Sequence, residues 1–177
     1  MEVAMEDRKK YIGGSDACRI ISGDWIKLWE EKTGRTEPED LSKKLAVQIG
    51  IATEPVNIKF LEYETNSVIQ RGYDIPPNEH HEFMRSHCDG IIMEGQHPGI
   101  ICECKHTYEN NTFEKVAEYY YPQLQHYMMH SMTEYMYLSV IFGNSRHEHA
   151  VIDWDHEYQK RLFKLEKAFW LFVTTDT

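Results

Sequence analysis

The hydrophobic pattern of this chain changes period partway along, and that change limits the fold more than any other feature. Up to about residue 63 the pattern is helical. Gly13-Gly14-Ser15-Asp16 reads as a turn ending in an N-cap, with a short helix following through Ile20. Trp25, Leu28 and Trp29 form one apolar stripe on a second helix that starts at Asp24 and stops near Gly34. A longer helix is predicted over residues 41–63, interrupted at Pro55. The period then shortens. Residues 67–73, 83–93 and 99–106 are short runs rich in Val, Ile, Phe and Tyr, bounded by turn formers such as Pro76-Pro77-Asn78 and residues 94–99. The last two runs read as a hairpin. A helix over residues 112–132 containing Pro122, strands over 134–142 and 148–154 about a turn at Gly143-Asn144, and a helix over 155–173 complete the order. Helices, a meander, a helix, two strands and a helix make an α/β (α+β layered) fold with a central mixed β-sheet flanked by helices.

Length and composition fit one domain over residues 1–177, since there is no repeat, low-complexity tract or Gly/Ser linker. Hydrophobic residues at 41% and aromatics at 12% are too many for a disordered chain. No apolar run approaches the roughly 18 residues needed to span a bilayer. The opening MEVAMEDRKK has no apolar h-region, which sets the expectation of a cytoplasmic protein. The four cysteines, Cys18, Cys88, Cys102 and Cys104, contain no CxxC pair, so free buried thiols are expected rather than a zinc or iron–sulfur centre.

The net charge of −10 argues at first against a nucleic-acid partner. It is unevenly spread. Residues 51–105 carry 4 basic and 9 acidic side chains, the most carboxylate-biased part of the chain. Within it, Asp89-Gly90 is followed by Glu103-Cys104-Lys105. Paired as a hairpin, these segments bring Asp89 near Glu103. Alternation along a strand turns Glu103 and Lys105 to one face and Cys102 and Cys104 to the other. Two adjacent carboxylates repel unless a cation lies between them, and oxygen ligands without His or thiolate favour Mg²⁺ or Mn²⁺ over zinc. A Lys beside such a cation, its pKa lowered by metal and partial burial, can position or deprotonate a water. A polarised phosphoryl oxygen and an activated water are what phosphodiester hydrolysis requires. Taken alone the Asp89…Glu103-x-Lys105 pattern is weak, and an exposed hairpin with a cross-strand ion pair has the same sequence. It has company, however, in Gly50-x-x-x-Glu54 on the preceding helix and Gln123-x-x-x-Tyr127 on the following one.

In this order and with these elements between them, the residues resemble the PD-(D/E)xK nuclease superfamily, and within it the YqaJ-type or lambda-exonuclease-like phage recombination nucleases. Ile12-Gly13-Gly14-Ser15-Asp16-Ala17 is similar to the family's opening motif, Gly50 with Glu54-Pro55 to its second, and residues 120–127 to its Gln-rich helix. The resemblance implies a restriction-endonuclease-like core in which Asp89, Glu103 and the main-chain carbonyl of Cys104 bind Mg²⁺, with Mn²⁺ able to substitute. Glu54 would approach the metal directly or through water. Lys105 would activate the nucleophilic water, and Gln123 would orient that water or the Lys. Tyr127 would pack against the same site or serve as a core tyrosine, and Gln125, on another helix face, would be structural. Cys88 stands where the family commonly has Pro, and residues 106–111 carry no Arg.

The N-terminal motif has a physical logic of its own. Gly13-Gly14 permits close backbone approach to a ligand, Ser15 offers a hydroxyl at a helix N-terminus, and Arg8 could add a charged fork, which together suit a phosphate. The plainer alternative is an N-cap and a solvated arginine. In the resembling exonucleases such a pocket holds the 5′-phosphate of the strand being degraded. The implied activity is a Mg²⁺-dependent 5′→3′ exonuclease on double-stranded DNA ends that leaves 3′ overhangs for recombination, in the cytoplasm of a phage-infected or prophage-bearing cell. A homo-oligomer, a trimer by resemblance, and a single-strand annealing partner are implied with it. A RecB-type endonuclease or repair nuclease with the same site, and a noncatalytic DNA-end-binding module, are the alternatives.

Overall fold

The computed structural model of the protein describes residues 7–94 and 97–177. Residues 1–6, and Gly95-Gln96 in the expected 94–99 turn, lie outside the described residues. The helices are α1 (Gly14–Ser22), α2 (Trp25–Lys32), α3 (Leu45–Thr65), α4 (Phe113–Ser131) and α5 (His156–Thr175). The strands are β1 (Ile69–Asp74), β2 (His87–Glu94), β3 (His97–Thr107), β4 (Tyr135–Phe142) and β5 (Arg146–Asp153). They form a sheet in the order β1-β2-β3-β4-β5, antiparallel except for β3 and β4, which run parallel. A parallel pair needs a crossover, and α4 supplies it. No helix among the described residues is long and apolar enough to cross a membrane.

Alternation along β3 and β4 decides what each face of the sheet holds. Ile101, Met136, Leu138, Val140 and Phe142 pack with Val116, Leu124, Tyr127 and Met128 of α4. Each such side chain, taken fully out of water, contributes about 1.5–3 kcal/mol. The opposite face packs Cys102 and Cys104 with Ile69 and Ile92 against Ile58 and Leu61 of α3. The four cysteines are free thiols, three of them buried.

Most predicted elements are present within a few residues of their expected ends, and the exceptions have local causes. Residues 83–86 do not extend β2. Their backbone pairs with Ile12 instead, the Ile12 amide donating to the Phe83 carbonyl at 2.7 Å and the Arg85 amide to the Ile12 carbonyl at 2.9 Å. The N-cap of α1 is Gly13, one turn earlier than expected. Asp16 lies inside the first turn, where its carboxylate accepts from the Gly13 amide at 2.9 Å, the return arm of a capping box. α3 begins at Leu45 rather than near residue 41 and runs on through Pro55. Gln125 is structural as expected. It donates to the Asp153 carbonyl and accepts from the Asp155 amide and Gln159, tying α4 to the start of α5.

Candidate active site

The hairpin delivers its carboxylates by a break in pairing. β2 and β3 are in register with Gly90 opposite Cys102, and a Cβ at Gly90 would meet Ile69 at 2.5 Å and the Cys102 sulfur at 3.0 Å, so only glycine lets the strands close here. One residue further, the Asp89 carboxylate takes the place of a strand partner and accepts from the Cys104 amide at 2.7 Å. In an extended strand the N–H and C=O of one residue project to the same side, so the Cys104 carbonyl also faces the Asp89 side.

Glu103 and Lys105 share the α4 face, as alternation requires. Glu103 is 3% exposed. Its Oε1 accepts from Lys105 Nζ at 2.7 Å and from Gln123 Nε2 at 2.7 Å, while its Oε2 is buried with no hydrogen-bond partner. Lys105 Nζ also lies 4.3 Å from the centroid of the Tyr120 ring, a cation–π contact. Gln123 donates its other amide proton to the Tyr127 hydroxyl at 2.8 Å. Gln123 therefore touches Glu103, and of the two roles expected of it, orienting the water or the Lys, the direct contact with Lys105 is not made; both its donors are committed. Tyr127 belongs to the site and to the core at once.

Burial, and then repulsion from Asp89, pushes the Glu103 carboxyl up to about 7. Burial also raises Asp89, against the opposing pull of Lys105 and of the Cys104 amide. Lys105 in the metal-free protein is pulled in two directions. Burial would lower it, but Glu103 and Asp89 outweigh burial and raise it above the ordinary lysine value. Without a further cation, the carboxylates hold this lysine protonated.

From the other face, α3 brings Glu54 to the same region. Glu54 is half-buried, and its carboxyl is raised by burial and by the charge of Asp89; Arg71 on β1 is its nearest cation, at 3.9 Å. Gly50, one turn before it, has nothing within 4 Å of an added Cβ, so its place in the Gly50-x-x-x-Glu54 pattern is not enforced by packing. Asn57, on the same helix face as Glu54, is 1% exposed and donates to the carbonyls of Lys105 at 3.0 Å and Ser139 at 3.1 Å. It fixes the backbone from which Lys105 projects.

The N-terminal motif docks against α4 beside this cluster. A Cβ at Gly14 would lie 2.5 Å from the Tyr127 ring and 2.8 Å from Gln123 Cγ, so glycine is what allows α1 to approach the Gln123–Tyr127 pair. Arg8 and Ser15 are brought together as expected, with Arg8 Nη2 donating to Ser15 Oγ at 2.9 Å. Beneath them Lys32 and Asp16, both nearly buried, pair at 2.6 Å, and Lys32 also donates to the Arg8 and Tyr11 carbonyls. Asp16, Lys32, Asn57 and Tyr120 were not singled out from sequence. The signal for Asp16 lay in the Gly-Gly-Ser-Asp motif itself, while Lys32 and Asn57 had no local signal.

Three carboxylates, a lysine held protonated, a glutamine amide and an exposed Arg–Ser pair thus meet where a hairpin and three helices converge. A model of the YqaJ-like viral recombinase domain matches residues 5–135. No curated protein sequence matches the chain. Among solved structures, the fold is similar to that of an alkaline exonuclease, LHK-Exo, from Laribacter hongkongensis, with TM-score 0.75 and 13% identity over 99% of this chain and 94% of that one. The complex of the same enzyme with dAMP gives the same values. A phage-related exonuclease from Haemophilus somnus 129PT is similar with TM-score 0.70 and 12% identity over 94% of this chain and 96% of that one. At such identities these structures speak for the fold, and the family match covers most of the chain, including the hairpin and the Gln123 helix. The chain belongs to the YqaJ-like viral recombinase domain family, with the fold of the PD-(D/E)xK exonucleases.

Proposed function

We propose that the protein is a Mg²⁺-dependent deoxyribonuclease that acts on double-stranded DNA ends, degrading the 5′-terminated strand to leave a 3′ overhang. The observation that carries this reading is Glu103, whose buried Oε2 has no partner while its Oε1 is held by Lys105 and Gln123. A buried carboxylate oxygen left without a donor costs on the order of 1–3 kcal/mol or more. A cation shared with Asp89 would remove that cost. The donor set suits a hard divalent ion, since carboxylates of Asp89, Glu103 and Glu54 and the Cys104 carbonyl are all oxygen ligands, the Cys102 and Cys104 sulfurs lie on the other face, and burial keeps the Cys88 thiol on this face protonated. Such an ion would polarise a phosphoryl oxygen and lower the pKa of a bound water.

The chain's own groups divide the remaining work. Gln123 holds the Glu103 carboxylate by one donor and is itself held by Tyr127. Lys105, with its charge and three donors, orients a water against the scissile phosphorus and stabilises charge developing on the phosphate oxygens. To accept the proton of that water it must first release its own to solvent, a loss made easier once the pull of Glu103 and Asp89 on that proton is relieved. Arg8 and Ser15, at the α1 N-terminus beside Gln123, would receive a terminal phosphate.

The test compares linear duplex carrying a 5′-phosphate, linear duplex carrying a 5′-hydroxyl, and covalently closed circular DNA, each with Mg²⁺. Loss of the phosphorylated linear substrate alone supports the exonuclease. Nicking of the circle replaces it with an endonuclease using the same site, and hydrolysis of none of them under Mg²⁺ or Mn²⁺ overturns the catalytic reading.

A further inference from the structure

On the face of the sheet turned away from Glu103 and Lys105, the last turn of α3 meets the edge strand β5. Three side chains converge there. Glu64 Oε2 lies 3.1 Å from His147 Nδ1 and 2.7 Å from His149 Nδ1, and one ligand atom from each of the three residues lies within 4.8 Å of the others. His147 and His149 alternate on β5 and so share a face, with their rings stacked at 29° between planes.

Hydrogen-bond bookkeeping around His147 shows what this cluster lacks. The Asn57 amide is oriented by its two donor bonds to the Lys105 and Ser139 carbonyls, so its Oδ1 is an acceptor. The Ser139 hydroxyl spends its one proton on that Oδ1 at 2.6 Å and presents a lone pair elsewhere. His147 Nε2 faces both, at 2.8 Å from Ser139 Oγ and 3.1 Å from Asn57 Oδ1. Two acceptors around Nε2 place the imidazole proton on Nε2. The other nitrogen, Nδ1, then turns a bare lone pair toward a carboxylate oxygen. Two acceptors at 3.1 Å repel unless a cation stands between them.

We propose that Glu64, His147 and His149 form a second metal site, separate from the hairpin carboxylates, that takes a divalent transition ion of the zinc class. Two imidazole nitrogens and one carboxylate oxygen are a donor set for Zn²⁺ or its Irving–Williams neighbours, whereas Mg²⁺ prefers oxygens throughout. The geometry is close to what such an ion needs. Bonds of about 2.0–2.1 Å in a tetrahedron put neighbouring ligand atoms about 3.4 Å apart. The Glu64–His147 distance requires little change, and the shorter Glu64–His149 contact opens by about 0.7 Å on the same arithmetic. Glu64 is exposed, so the ion has an entry path and a fourth position for water. The arrangement behind His147 is that of a metal-binding imidazole whose second N–H is held by a protein acceptor. Here that acceptor is Asn57, which also holds the Lys105 carbonyl, so the proposed ion would brace the backbone under Lys105 from the far side of the sheet. The proposal stands whether or not the protein cleaves DNA.

Chelator-stripped protein is titrated with Zn²⁺ by calorimetry in excess Mg²⁺, which keeps the hairpin carboxylates occupied. One equivalent is expected to bind, and to raise the thermal midpoint by roughly 5 °C or more at a hundredfold excess over Kd. His149→Ala and Glu64→Gln, both at solvent-accessible positions, should weaken binding at least about tenfold and cut the thermal shift at the same Zn²⁺ concentration by about half or more. Asp89→Asn should change neither. Absence of Zn²⁺ binding in the wild type, wild-type affinity in both His149→Ala and Glu64→Gln, or loss of the equivalent in Asp89→Asn would each overturn the second site.

Discussion

The two faces of the sheet around β3 and β4 are both polar at their centres, yet they are polar in different ways. On the α4 face, Glu103 and Lys105 form a charged pair within an apolar core, and one carboxylate oxygen has no partner. On the α3 face, Asn57, Ser139 and the Nε2 edge of His147 form a network of amide, hydroxyl and imidazole in which buried donors meet acceptors, while the Nδ1 edge of His147, facing Glu64, lies outside it. Lys105 belongs to both, its ammonium to the first and its carbonyl to the second. An unsatisfied charged group invites something from outside the chain, whereas a satisfied neutral network fixes the backbone. The α4 face is therefore where chemistry is expected, and the α3 face is its scaffold.

The sharpest way to break this comparison is to remove each half of Lys105's surroundings in turn. Lys105→Ala should reduce Mg²⁺-dependent hydrolysis of linear duplex by at least about a hundredfold, the scale of a positioned acid–base group. Its folding should be little affected near neutral pH, because Glu103, already raised to about 7, can take up a proton in place of the lost ammonium. Wild-type activity in this variant would show that the α4 face is structural after all. Asn57→Ala should do the reverse. It leaves two buried carbonyls without donors and should lower unfolding free energy by about 2 kcal/mol in urea, with a smaller loss of activity. An Asn57 variant with unchanged stability would remove the scaffold role.

How much of this was legible in the sequence differs between the two faces as well. The α4 face was read from short-range signals: alternation in Glu103-x-Lys105, a hairpin placing Asp89 beside Glu103, and Gln123 one turn before Tyr127. Thr112 and Asp155 were also visible as helix starts, and both cap their helices through their side chains. The α3 face gave little warning. Asn57 and Ser139 are 82 positions apart, and Glu64 is 83 positions from His147, so no spacing rule connects them. Residues 83–86 misled for the same reason, since an apolar run with strand composition is paired with Ile12, more than seventy residues upstream. The upward shift of Lys105 in the metal-free protein also lacks a sequence signal, because it depends on two buried carboxylates outweighing burial, a balance of magnitudes that composition does not carry.

A graded test of the charged face follows from its carboxyls. Glu103, raised by burial and by Asp89 to about 7 from an ordinary 4.5, binds more protons folded than unfolded between those values. Stability of the metal-free protein should therefore fall as pH rises from about 4.5 to about 7, and Asp89 and Glu54, also raised, act in the same sense. His126 is raised by Glu166 against the effect of burial, while His130 and His147 are lowered by burial and work in the opposite sense. The comparison is accordingly made against Glu103→Gln, which leaves these histidines in place. Urea midpoints measured across that window with a chelator should decline more steeply in the wild type than in the variant, and Mg²⁺ should flatten the wild-type curve. Parallel curves would mean that Glu103 is not the group that makes this face depend on an outside cation.

The smallest effect expected lies at the rim of the α4 face, where charge is exposed rather than buried. The Arg8 side chain is 52% exposed, and its bond to Ser15 is a surface contact of little worth to stability. Arg8→Ala should leave the urea midpoint unchanged, because the backbone at this position is held separately, by Lys32 donating to the Arg8 carbonyl. What the guanidinium can add is recognition of a terminal phosphate, and one solvent-screened contact supports a preference of only a few fold, by an exposed-pair energy of about 0.2–1 kcal/mol. Rates on 5′-phosphorylated and 5′-hydroxyl linear duplex should accordingly converge in Arg8→Ala, chiefly through a slower reaction of the phosphorylated substrate, and the preference of the wild type should weaken as salt is added. If the ratio of the two rates is the same in the wild type and the variant, the rim plays no part in reading the DNA end, and the chemistry of this face is confined to the buried cluster around Glu103.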